Sequence, residues 1–201
     1  MRAQILRAVL LIALAGGVAG STSCTGKLIE GDSNSYLIIT SLTASCGATD
    51  EETGTNLQSD VVTEGSAIED EGIVEFTLGL KNIGTPDSPA EPTVNNFITV
   101  TRYRVVFRRA DGRNTPGVDV PWGFDGAFTV TVGDGPAEAN FSLVRIQAKL
   151  EQPLLALRNL GGLGAISTIA EVTFYGHDQT GRAVSATGQI SVDFADYADP
   201  E

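Results

Sequence analysis

Alternation with a period of two constrains this chain more than any other feature. From Gly72 to Lys81, Val74, Phe76, Leu78 and Leu80 fall on one side, with Glu75, Thr77 and Lys81 on the other. That is the signature of a strand with one face in a core and one in water. The pattern returns from Phe97 to Arg109, which places Tyr103, Val105 and Phe107 together and Arg102, Arg104 and Arg108 opposite. It is longest at the end of the chain. Ile166, Thr168, Ala170, Val172 and Phe174 share a face, Asp178-Gln-Thr-Gly181 turns, and Val184, Ala186, Ile190, Val192 and Phe194 share the next. A chain built this way folds as strands.

Shorter strands are predicted at Ser35–Ala44, Val61-Val62, Val118–Val120, Phe128–Val132 and near Asn140–Ala148. In the first, Leu37 and Ile39 face away from Ile38 and Leu42. Gly47–Ser59, the acidic triplet Glu69–Glu71 and the stretch carrying Pro86, Pro89 and Pro92 read as connections. Helical spacing occurs once, at Leu150, Leu154 and Leu157, with Pro153 suited to a first turn and Gly161 to the residue past the end. These elements predict an all-β antiparallel sandwich with one short crossover helix, a single domain over 35–197 and a tail at 198–201.

The run Ala170-Glu-Val-Thr-Phe-Tyr-Gly-His-Asp-Gln-Thr-Gly-Arg-Ala-Val-Ser185 resembles the closing hairpin of bacterial immunoglobulin-like domains. Phe76–Gly84 (FTLGLKNIG) is similar to an inner strand of secreted modules, and the whole chain resembles exported bacterial proteins that join a signal to such a sandwich. The resemblance implies an immunoglobulin-like β-sandwich and no particular activity.

Met1–Ser23 holds no acid, two arginines (Arg2 and Arg7), an apolar run Ala8–Ala15 and a small-residue tail. This is the layout of an export signal, too short in its apolar core for a membrane span. Ser21-Thr22-Ser23-Cys24 resembles a bacterial lipobox, with Ser21 where Leu is usual. Lipidation at Cys24, with residues 24–34 as a tether, is the preferred expectation. It makes the protein a membrane-anchored lipoprotein of the cell envelope. The alternative is cleavage after Gly20 and a soluble periplasmic or secreted protein with a Cys24–Cys46 disulfide.

The chain has 25 acids against 13 bases, a formal charge of −12. That field opposes nucleic-acid binding. One histidine and two cysteines leave little for a zinc site, and no cofactor motif is present. His177 is the only base available to a triad, and it sits at a predicted strand end. Eleven acids and only Lys81 as a base lie between Cys46 and Asn96. They read as a solvated rim, with a calcium site as the sharper alternative. Arg102, Arg104 and Arg108 offer an anion or acidic-partner surface unless neighbouring acids neutralise them. Trp122 and Phe124, in Pro-Trp-Gly-Phe-Asp-Gly126, are candidate binding aromatics, although a lone Trp more often plugs a core. The expectation is a non-enzymatic binding or structural module for an envelope protein or glycan. The alternatives are a carboxylate-dependent hydrolase with paired acids near Trp122 and a calcium-stabilised adhesion module.

Overall fold

The computed structural model describes residues 32–47 and 53–197. The export signal, Cys24, most of the tether and the tail lie outside the described residues. Ten strands carry the fold: β1 (Ser35–Ser45), β2 (Asn56–Asp60), β3 (Asp70–Leu80), β4 (Gly84–Thr85), β5 (Ser88–Pro89), β6 (Ile98–Arg108), β7 (Phe124–Val132), β8 (Ala137–Val144), β9 (Ala165–Asp178) and β10 (Ala183–Ala195). A single helical turn, α1 (Ile146–Lys149), follows β8. The chain is all-β, as its alternation predicts.

One sheet runs β1-β3-β8 and a second runs β2-β10-β9-β6-β7, while β4 and β5 form a separate two-residue ladder. Pairing is antiparallel except at one edge, where β2 runs parallel to β10 from Asn56–Ser191 to Asp60–Ala195. The two large sheets share one core. Phe76 of β3 meets Phe174 of β9 edge-on, with ring centroids 5.0 Å apart. Phe141 packs on Phe174 at 5.4 Å and Tyr103 on Phe141 at 5.1 Å. Such edge-to-face contacts add about 1 kcal/mol each to the apolar burial. Rings also lie across glycines of the paired strand. Tyr103 covers Gly126 and Phe141 covers Gly72, where a Cβ would collide with the ring.

Three register shifts depart from simple alternation, one of them in β8, where Asp70–Val144 and Glu71–Ser142 are successive pairs and Leu143 is left between them. Thr40 has no partner between the Ile39–Phe76 and Ser41–Glu75 pairs. The extra residue reverses the facing of the rest of β1. Leu42 therefore packs against the core with Leu37 and Ile39, and Ile38 is left exposed, which corrects the expected grouping of Leu42 with Ile38. Thr101 makes the same kind of break in β6.

Other expectations are corrected as well. Part of the predicted Gly47–Ser59 loop is β2, held by buried Leu57. Val118–Val120 is a turn with one bridge, Pro116 to Val120. The helix predicted through Leu150, Leu154 and Leu157 is only a 3-10 turn at Leu154–Leu157, and the single α-helical turn, α1, precedes it. The triplet Glu69–Glu71 is not a turn, since Asp70 opens β3 at 0 % exposure.

The strand directions define two poles. Ser35, Leu80, Ile98 and the Asp178–Ala183 turn mark the pole where the chain enters. There the Asp178 carboxylate accepts from the Thr180 N–H at 2.9 Å, the Thr180 hydroxyl at 2.6 Å and the Arg182 N–H at 3.0 Å. Ser45, Asp70, Val144, Ala165 and Ala195 mark the opposite, distal pole.

Candidate functional site

At the distal pole, beside the described residues that link β1 to β3 and those that follow β10, lie the β6–β7 loop (residues 109–123) and the β8–β9 connection (residues 145–164). In the first loop, Asp111 takes Arg109 Nη2 at 2.8 Å and Arg113 Nε at 3.0 Å. Arg109 above all, with Arg113, holds this exposed carboxyl well below the usual carboxylate range. Asn114 Oδ1 accepts the Arg109 N–H at 2.6 Å, and Asp119 accepts the Thr115 N–H at 3.1 Å. These local bonds fix the loop and carry Trp122 to its end. The indole lies over Gly117, whose φ of 75° also requires glycine. Trp122 remains 55 % exposed, so it is not the core plug that a lone tryptophan usually is.

The second connection is pinned from below. Leu154 and Leu157 are buried, and the Gly161 N–H donates to Asp196 Oδ2 at 3.2 Å. Other apolar side chains of this connection face outward. Ile146, Leu150, Leu155 and Leu160 are each at least 40 % exposed, and Leu163 is 94 % exposed. With Trp122 and Val118 they gather most of the large exposed apolar side chains of the described residues at one pole. Large apolar groups concentrated in this way mark interaction surfaces. Sequence reading did not pick out this crown, because it placed Leu150, Leu154 and Leu157 together at helical spacing and separated none of them as exposed. Leu163 carried a usable signal, since Gly161, Gly162 and Gly164 around it leave nothing for it to pack against.

The other predicted residues lie elsewhere. Phe124 is not a surface platform. It opens β7 at 6 % exposure, edge-on to Tyr103 at 6.2 Å and capped by the Arg145 guanidinium at 4.1 Å. Arg102, Arg104 and Arg108 line the solvent face of the five-stranded sheet and meet acids of adjacent strands. Arg104 pairs with Asp125 at 2.7 Å, Arg102 with the same carboxylate at 3.7 Å, and Arg108 with Glu171 at 3.8 Å. Arg102 also stacks on Tyr175 at 4.3 Å. Exposed pairs of this kind contribute at most about 1 kcal/mol each. Near Trp122, Asp119 and Asp125 are thus engaged with Thr115 and the arginines. His177 is exposed at the end of β9, with its Nδ1 3.3 Å from the Asp178 carbonyl. Among the described residues no group of three His, Cys, Asp or Glu side chains is arranged to hold a metal. No described helix is long and apolar enough to cross a membrane.

At the pole where the chain enters, a cleft of about 260 Å³ is lined by Asp32, Ser33, Tyr36, Lys81 and Ser185 among others. Lys81 sits 5.2 Å above the Tyr36 ring. No protein-family model, curated protein or solved structure matches the chain.

Proposed function

We propose that this is a non-enzymatic cell-envelope protein. In this reading an immunoglobulin-like β-sandwich is exported, anchored through a lipid on Cys24, and presents its distal pole to an envelope protein or glycan. Two packed sheets with a single core support the sandwich assignment. The observation that carries the functional reading is the polarity of the domain. The chain enters at one pole, and the exposed apolar crown of Trp122, Leu150, Leu155, Leu160 and Leu163 occupies the other. An anchored module needs that separation, because a surface beside the anchor would be shielded by the membrane.

The test has two parts. Cys24→Ala should move the protein from the membrane to the soluble fraction. A photo-crosslinking side chain at Trp122 should give a discrete adduct in intact cells. That adduct should disappear in a Leu160→Asp, Leu163→Asp background, while a probe at Thr173 on the sheet face gives none. Adducts that survive the leucine substitutions, or that form equally at Thr173, would overturn the distal-pole assignment.

A further inference from the structure

Asp70 and Lys149 are the most deeply buried charged pair among the described residues, at 0 % exposure each. Asp70 opens β3 and Lys149 ends α1, so the pair joins the three-stranded sheet to the β8–β9 connection. Lys149 Nζ lies 2.9 Å from Asp70 Oδ2. That contact falls outside hydrogen-bond alignment, and the ammonium meets no other aligned acceptor among the described residues. Burying an ion pair carries a desolvation cost that its mutual attraction has to repay.

The surroundings of the carboxylate are asymmetric. Oδ1 accepts the Gly47 N–H at 3.2 Å. Oδ2, the oxygen nearest the amine, accepts the Ser59 hydroxyl at 2.6 Å. One oxygen therefore has a backbone donor, while the other has a hydroxyl able to carry a proton.

We infer that Lys149 and Asp70 condense to an intramolecular isopeptide bond in the folded protein. A proton passes from Nζ to Oδ2, giving a neutral amine and a neutral acid. The Nζ lone pair attacks Cγ, and the charge that develops on Oδ1 is stabilised by the Gly47 N–H. A second proton moves from Nζ to Oδ2 through the Ser59 hydroxyl. The Cγ–Oδ2 bond breaks and Oδ2 leaves as water, while the amide nitrogen keeps one hydrogen. No oxidant or cofactor enters the balance. Two features drive the step. The partners are already held together, and well-oriented intramolecular groups reach effective concentrations of about 10⁵–10⁸ M. The product also replaces two buried charges with one neutral amide, which removes their desolvation cost.

The experiment is intact mass and tryptic mapping of the purified wild-type protein after denaturation. The expected mass is lower by one water, about 18 Da. Trypsin should fail to cut after Lys149 and should yield a branched peptide joining residues 28–81 to 146–158. Lys149→Gln should show no loss of water, and Ser59→Ala should leave a larger uncondensed fraction. If either variant fails to fold, the wild-type map still decides. A wild-type chain of full mass, cleaved normally after Lys149, overturns the inference.

Discussion

The carboxyl of Asp178 shows how single residues set the pH response of this fold. Burial pushes it up, but hydrogen bonds from the Thr180 hydroxyl, the Arg182 and Thr180 N–H groups and Ser33 outweigh burial and hold it below its ordinary value. A carboxyl lowered by folding contributes stability above its unfolded value of about 4, and that contribution is lost as pH falls through the folded value. The urea midpoint of the wild type should therefore drop as pH is taken from 5 toward 2, and Asp178→Asn should flatten that drop. The opposite end of the scale belongs to Tyr103, which burial above all pushes up. Its contribution is intact below about pH 10 and is lost as pH rises further. Steric tolerance is also a residue-scale property. At Gly126 a Cβ would strike the Tyr103 ring, which Phe124, Phe128 and Phe141 hold in place. Gly126→Ala should cost about 1–3 kcal/mol in a denaturation series.

At the scale of elements, alternation carried most of the information. The faces of β3, β9 and β10 were legible because each runs unbroken between a core and water. Val74, Phe76, Val172, Phe174 and Val192 all end fully buried. Bulges were not legible, since Thr40 and Thr101 differ in no visible way from other strand threonines. The consequence is testable at β1. Ile38 and Leu42 look equivalent in sequence, yet only Leu42 packs against the core. Leu42→Asp should lower stability by more than about 2 kcal/mol, whereas Ile38→Asp should cost less than about 1 kcal/mol. Equal losses would place the bulge elsewhere. The β8–β9 connection misled for a different reason. Leu154 and Leu157 do point inward, but their helical spacing with Leu150 arises across two separate turns. Of the candidate site, Trp122 was singled out in the sequence and is exposed, but Phe124 was not legible as core. Strand pairing with Val105 draws Phe124 inside, and no local pattern announces that pairing. Asp70 was hidden among surface-like acids because its partner lies far along the chain at Lys149.

For the whole molecule, the relevant property is the separation of its poles. The large exposed apolar groups of the described residues collect mainly at one pole. Leu163→Asp should leave the melting temperature within about 2 °C of wild type, because that side chain is 94 % exposed. The same geometry has a mechanical meaning. A module held at one end and gripped by a partner at the other is loaded along its strands, so β1 against β3 and β2 against β10 would have to slide past each other. Sliding breaks many ladder bonds at once, whereas peeling breaks them singly. The pair at Asp70 and Lys149 lies where the β8–β9 connection meets the sheet, so under the proposed attachment at both poles it would stand in the line of pull.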